Sequence, residues 1–188
     1  MYRIYLVLLR FLHLIKSICL SKDFSKCGRN VLFGRVGLIY KPEFISIGNN
    51  TKFGDYIYLT AWDRILNHKP NLIIGDNCNF GAMNHITCAN RIRIGNNLLT
   101  GKWVTISDNN HGSTDISDLL KKPLDREIVS KGEIIIGNNV WIGDKATILA
   151  NVCIGDGVVI AANSVVTTDI PSYSVVVGNP GRIISNIQ

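Results

Sequence analysis

Four histidines, five cysteines and a scatter of carboxylates are the groups in this chain able to move protons, bind metals or attack a carbonyl. His111 has the most telling surroundings among them. It closes the run Ile106-Ser107-Asp108-Asn109-Asn110-His111, after which the chain turns from aliphatic to polar and charged. An imidazole titrating at about 6.5 can take a proton from a hydroxyl, which is a poor nucleophile at neutral pH. His85, in Met83-Asn84-His85-Ile86, falls five residues after Phe80, as His111 falls five after Ile106. The shared phase predicts that both line one cleft. His13 and His68 lie where they read as solvated. A catalytic zinc needs three protein ligands, commonly three histidines, and two in phase do not supply them, so no metal is expected. The cysteines (Cys19, Cys27, Cys78, Cys88 and Cys153) form no C-x-x-C pair and are odd in number, and Cys78 reads as a small buried hydrophobe. That usage points to a cytosolic compartment. Gly-rich phosphate loops and the G-x-S-x-G elbow are absent from the sequence.

What positions these groups is a period of six. From Ile136 onward every sixth residue is aliphatic: Ile136, Ile142, Ile148, Ile154, Ile160, Val166. Glycine often follows, as at Gly137, Gly143 and Gly155, and the fourth residue after each aliphatic is small or aliphatic. A helix would scatter residues six apart over different faces, and a plain strand would alternate every two. A period of six with a second inward site therefore implies short straight runs separated by corners, three runs to a triangular coil. Gly, Asn and Asp recur where tight corners need them. Stacked coils bury a continuous core.

The same units can be traced backwards with two interruptions. Ile47, Phe53 and Leu59 make a coil, then about nine extra residues around Trp62 to Pro70 form a loop before Ile74. Ile94, Thr100 and Ile106 make another, and the next unit is Ile136, so 112–135 is an inserted loop that leaves directly after His111. Insertions in a solenoid project on a binding face. Residues 1–22 read as an amphipathic helix, with Arg3, Arg10, His13 and Ser17 on one side, and residues 23–188 as the solenoid domain. The charges in 2–20 interrupt the run well short of the roughly 20 apolar residues that a span needs. Two uses of the helix stand open: a cap on the solenoid end or an oligomer contact, and a basic helix lying on a membrane surface.

The unbroken units of 136–171, with the string Asn138-Asn139-Val140-Trp141-Ile142-Gly143, resemble the hexapeptide-repeat acyltransferases, and galactoside, maltose and polysaccharide O-acetyltransferases in particular. The resemblance covers about residues 45–184. It implies a left-handed parallel β-helix, an all-β solenoid, with acetyl-CoA as acyl donor. It makes His111 the general base and Asn84 the nearest match to an asparagine that contacts the acceptor, with His85 as a further acceptor contact. It makes Trp141 a wall for the thiol-bearing arm of coenzyme A, with Gly143, Asp144, Ala162, Thr167 and Arg182 completing the cofactor site. Many members have Lys where this chain has Thr168, which removes one phosphate contact. It also implies a homotrimer with each site between two solenoids.

Lys plus Arg is 20 against 14 acidic residues, a formal +6, which favours an anionic partner. Nucleic acid is not expected, because no basic run is interleaved with aromatics. The charge and the basic apolar segment 2–20 lean towards a carbohydrate acceptor of the cell surface, handled in the cytoplasm at the inner face of the membrane. The alternatives are O-acetylation of an antibiotic or simple sugar, N-acetylation of an amino sugar, and a catalytically silent solenoid that only binds.

Overall fold

The computed structural model describes residues 15–65 and 68–186. They form a left-handed parallel β-helix of triangular section. Three sheets make its faces. The first carries Lys26–Cys27, Ile45–Ile47, Asn71–Ile74, Arg91–Ile94, Ile134–Ile136 and Val152–Ile154. The second runs from Leu32–Phe33 to Ser174–Val177, and the third from Val36–Tyr40 to Val165–Val166. Neighbouring strands within each face are parallel and come from successive coils, so the six-residue unit of the sequence becomes one face plus one corner.

Register follows the aliphatic phase. On the first face Ile47, Ile74, Ile94, Ile136 and Ile154 stand one above another, and on the third Leu59, Ile86, Ile106, Ile148 and Val166 do the same. These side chains are almost wholly buried. At about 1.5–3 kcal/mol for each buried large aliphatic, the column supplies most of the drive for coiling. The second face begins with an aromatic column instead. Phe24, Phe33, Phe53 and Phe80 stack with ring centroids 5.6, 4.8 and 4.9 Å apart and nearly parallel planes.

Corners are made by residues that tolerate positive φ. Asn30, Asn50, Asn77, Asn97 and Asn139 all lie near φ +55 to +59. Their amides also bond upward, Asn30 to Asn50 at 3.0 Å, Asn50 to Asn77 at 3.1 Å and Asn97 to Asn139 at 2.9 Å. Asparagine accepts the left-handed conformation and gains a partner there. The glycine after the aliphatic has another cause: a Cβ on Gly101 would lie 2.0 Å from Asp144 Oδ1 and 2.7 Å from its main-chain N.

Residues 15–21 are helical and close the first coil. Ser17 is buried, its Oγ accepts the Phe33 N–H at 2.9 Å, and Lys16 Nζ donates to the Gly34 carbonyl at 2.6 Å. This part of the expected helix therefore docks as a cap; the rest of it, 1–14, lies outside the described residues. Among the described residues no helix is long and apolar enough to cross a membrane. At the other end the chain reverses, and Arg182–Asn186 pairs antiparallel with Ser174–Val177. The break in the sequence pattern at Gly178-Asn179-Pro180-Gly181 gives no hint of that returning strand.

Phe53 lies between two rings of the aromatic column and is 4% exposed. Phe53→Ala is expected to cost about 3–5 kcal/mol, read as a lowered midpoint in urea unfolding. A loss below about 1 kcal/mol would show that the stack contributes little.

Candidate active site

Both insertions leave the prism at the same edge, between the third and first faces. The first joins the third-face strand Ile57–Ala61 to Asn71–Ile74, and the second joins Thr105–Ser107 to Ile134–Ile136. In the coil between them the strand His85–Cys88 turns at Ala89 and Asn90 straight into Arg91–Ile94. Two projecting loops thus flank one short corner. The space they enclose is a cleft of roughly 1210 Å³, walled by Asp63, Arg64, Ile65, His68 and Lys69 from the first loop and by His111, Leu124 and residues 126–130 from the second, with Asn90 between.

His111 reaches this cleft on a ribbon of its own. Asn110–His111 pairs antiparallel with Ile128–Val129, His111 opposite Ile128, and the imidazole-bearing residue is exposed. The ribbon is anchored by Asp108, whose side chain is fully buried. Its Oδ1 accepts the Ala89 N–H at 2.7 Å and its Oδ2 the Asn90 N–H at 3.0 Å, so one carboxylate caps the corner below and fixes the point where the loop departs. Burial and this neighbouring carboxylate push the Cys88 thiol far up. Gly112, buried at φ +78, turns the ribbon into the loop, and its N–H donates to the Glu127 carbonyl at 2.8 Å. Further out Asp118 holds the short helix Ile116–Leu119: it accepts the Ser113 N–H at 2.8 Å and pairs with Lys121, which together hold its carboxyl at about 2.

The insertion differs from the sequence expectation at both ends. Ile134 and Ile135 pair with Ile92 and Arg93 and belong to the solenoid, whereas Asp108 to Ser130 already belong to the turn, ribbon and loop. The expected 112–135 therefore shifts towards the N-terminus, and His111 stands on the insertion rather than at a prism corner. Pairing of Ile134 with the buried Ile92 outweighs the polar neighbours that made it read as loop.

Two acceptor residues fall elsewhere than expected. Asn84 is 1% exposed. Its Nδ2 donates to Thr100 Oγ1 at 2.5 Å and to the Gly81 carbonyl at 3.1 Å, and its Oδ1 accepts the Val104 N–H at 2.7 Å. That is a buried polar junction with its capacity taken up, and it corrects the expectation of an acceptor contact. The period itself carries the reason, because Asn84 lies four after Phe80, at the inward site. His85 points out of the third face, not into the His111 cleft. It borders a separate groove of about 450 Å³ with Tyr56, Tyr58, Met83 and Trp103, where burial lowers its pKa. The two histidines do not share a phase, since His111 has left the coil. His68, expected to be solvated, is half-buried in the cleft, its Nε2 3.2 Å from the Asn90 carbonyl.

The residues assigned to the cofactor gather at other parts of the prism. Trp141 is 52% exposed on the second face, between Leu99 and Val159. Gly143, Asp144 and Ala162 lie on the edge between the second and third faces. There Asp144 Oδ1 accepts the Lys102 N–H of the coil below at 2.9 Å, whereas Ala162, one coil above Asp144, has no carboxylate to offer. The main-chain N–H of Asp144 consequently donates to nothing among the described residues, and neither does that of Ala162. The turn 178–181 bonds to Ser164 and Val165, which brings exposed Arg182, paired with Val177, to the terminal coil that also carries exposed Thr167. No hydrogen bond, ion pair or cleft of the described residues joins His111 to this group.

With this geometry in place, the likeness to known proteins is informative. The family model described as bacterial transferase hexapeptide (six repeats) matches residues 133–168. Over 177 residues the chain is 32% identical to WbbJ of Escherichia coli K12, named for lipopolysaccharide biosynthesis O-acetyl transfer, covering 93% of this chain and 87% of that one. The chain belongs to the hexapeptide-repeat acetyltransferases. This acetyltransferase is also 34% identical over 157 residues to galactoside O-acetyltransferase of the same bacterium, with 80% of this chain and 68% of that one covered. In fold it is similar to AntD, an N-acyltransferase from Bacillus cereus, a point mutant of which was solved with dTDP and coenzyme A: TM-score 0.73, 24% identity, 90% of this chain and 87% of that chain.

Sequence reasoning passed over Asp108, Asn90, His68 and Arg126. A signal was present for the group: both insertions follow the third aliphatic of their coil, Leu59 and Ile106, so both had to leave one edge. Asp108→Ala strips the buried Ala89 N–H of its acceptor, at about 1–3 kcal/mol, and the half-buried Asn90 N–H as well. Hydrogen exchange is expected to speed up about tenfold or more at 108–112 and 128–130, with 134–166 unchanged. Unaltered exchange in the ribbon would mean that Asp108 does not anchor it.

Proposed function

We propose that this acetyltransferase moves an acetyl group from acetyl-CoA to a hydroxyl of a bacterial surface polysaccharide or oligosaccharide, with His111 as general base. The observation that carries this is the placing of an exposed histidine on an anchored ribbon at the wall of a large two-loop cleft. His111 takes the proton of the acceptor hydroxyl as its oxygen attacks the thioester carbonyl. The oxyanion of the tetrahedral intermediate is held by main-chain N–H groups, and its collapse expels the thiolate of coenzyme A, which the imidazolium protonates. Cys78 and Cys88 are poorly suited to form a covalent acyl-enzyme, being buried with thiols pushed up by burial.

Donor binding falls to the second face and its edge with the third. Trp141 offers an exposed ring to the thiol-bearing arm, and the free N–H groups of Asp144 and Ala162 suit its amide carbonyls or the oxyanion. The fork of Arg182 suits a phosphate. The base and these groups lie on different edges of one prism, which favours a homotrimer in which one copy's cleft meets its neighbour's donor edge. The acceptor class rests on WbbJ's name and on the +6 charge, and the cytoplasmic face of the membrane is the matching place of action.

His111→Ala is expected to lower kcat in a thiol-release assay by about 10² to 10⁴ while acetyl-CoA still binds. Near-normal turnover in that variant would remove His111 from the mechanism. Arg182→Ala should weaken coenzyme A more than 3′-dephospho-coenzyme A; equal losses would place the 3′-phosphate elsewhere. Sedimentation is expected to give a trimer at micromolar concentration, and a stable active monomer would rule out a shared site. Turnover confined to an antibiotic or a nucleotide-linked amino sugar would displace the glycan acceptor.

A further inference from the structure

We propose that the cleft between the two insertions selects an acceptor carrying a negative charge, a carboxylate or a phosphate, close to the hydroxyl that is acetylated; this rests on His111 as the base. Three cations from two insertions line its wall: Arg64 and Lys69 from the first and Arg126 from the second. The acidic residues there are Asp63 and Glu127. Asp63 pairs with Lys41 from outside the cleft, so three cations face Glu127 as the one carboxylate of the wall without an ion pair among the described residues. Among the described residues none of Arg64, Lys69 and Arg126 pairs with a carboxylate, although Lys41, Arg91 and Lys121 do so nearby.

Arg126 is nonetheless held. Its Nε donates to the Lys121 carbonyl at 3.2 Å and one Nη to the Leu119 carbonyl at 3.4 Å. Neutral acceptors orient the guanidinium without cancelling its charge, and its other N–H donors remain to meet an anion in the bidentate manner. Arg64 lies over the Trp62 ring at 5.6 Å, which likewise positions the cation without neutralising it. Three like charges line one concave wall with no ion pair among them, and such a wall focuses their field on whatever enters. Ile65 and Ile128 add apolar surface for a sugar ring between them.

The test uses the full chain with methyl galactoside, methyl galacturonide and UDP-galactose. Equilibrium binding is measured to the His111→Ala variant in the presence of coenzyme A, and initial rates to the unaltered enzyme with acetyl-CoA. At least one anionic ligand is expected to bind about tenfold or more tightly than the neutral sugar. Arg126→Gln and Arg64→Gln should each erase much of that preference, Arg126→Lys should keep part of it, and Arg29→Gln, with the same loss of charge on the first coil, should leave it unchanged. Tighter galacturonide identifies a carboxylate, and tighter UDP-galactose a diphosphate. Equal binding of all three, or no binding of either anion, overturns the proposal. So does a parallel rise in the KM for acetyl-CoA in Arg64→Gln and Arg126→Gln, which would give these cations to the donor. Anion-selective binding that depends on Arg126 without turnover of any acceptor supports the cleft and removes the proposed glycan acceptor with His111 as its base instead.

Discussion

Everything in this molecule depends on one coil bonding to the next. Main-chain N–H groups of each strand donate to carbonyls of the neighbouring coil, and beneath those ladders the aliphatic columns keep the same register. A one-residue slip would turn the inward Ile74 outward and bring Ile73 in, and with every later coil stacked on the last the error would propagate. Because the register is that strict, the edges of the prism are straight, and an insertion in one coil lands above an insertion in another. The cleft is a consequence of this alignment.

The second consequence is a division of labour among edges. The edge between first and second faces spends its side chains on amide ladders and turns, with Asn and Asp answering each other from coil to coil. The edge between second and third faces breaks that habit at Ala162 and leaves N–H groups unclaimed. The edge between third and first faces carries both insertions. Its own corner polar group, Asp108, is buried and turned to holding the ribbon that bears His111. Rigid coils thus support a loop whose charged groups are held at points, by Asp108, Gly112 and Asp118, rather than by a packed core.

Electrostatics follow the same geography. Solenoid faces carry scattered outward cations such as Lys52 and Arg93, whereas the insertions concentrate charge of both signs. Asp118 with Lys121 and Asp63 with Lys41 are local struts. Arg64, Lys69 and Arg126 make no ion pair among the described residues, and they share a wall with Glu127, His68 and His111.

The sequence by itself determined the solenoid, its period, the existence of both insertions and the prominence of His111, because a buried column needs an aliphatic at every sixth position and any departure is visible at once. It also determined that Asn84 faces inward, although its chemistry as a polar residue argued the other way; the periodic position prevailed because Thr100 and the Val104 N–H wait there to satisfy it. Only the tertiary structure decided that the loops share an edge as walls of one cleft, that Asp108 anchors the ribbon bearing His111, and that His85 belongs to another groove. It alone decided that Arg182 lies on a returning antiparallel strand. Each of these depends on contacts between residues distant in the chain, set by how coils stack and how a loop folds back, and a repeat six residues long carries no record of them.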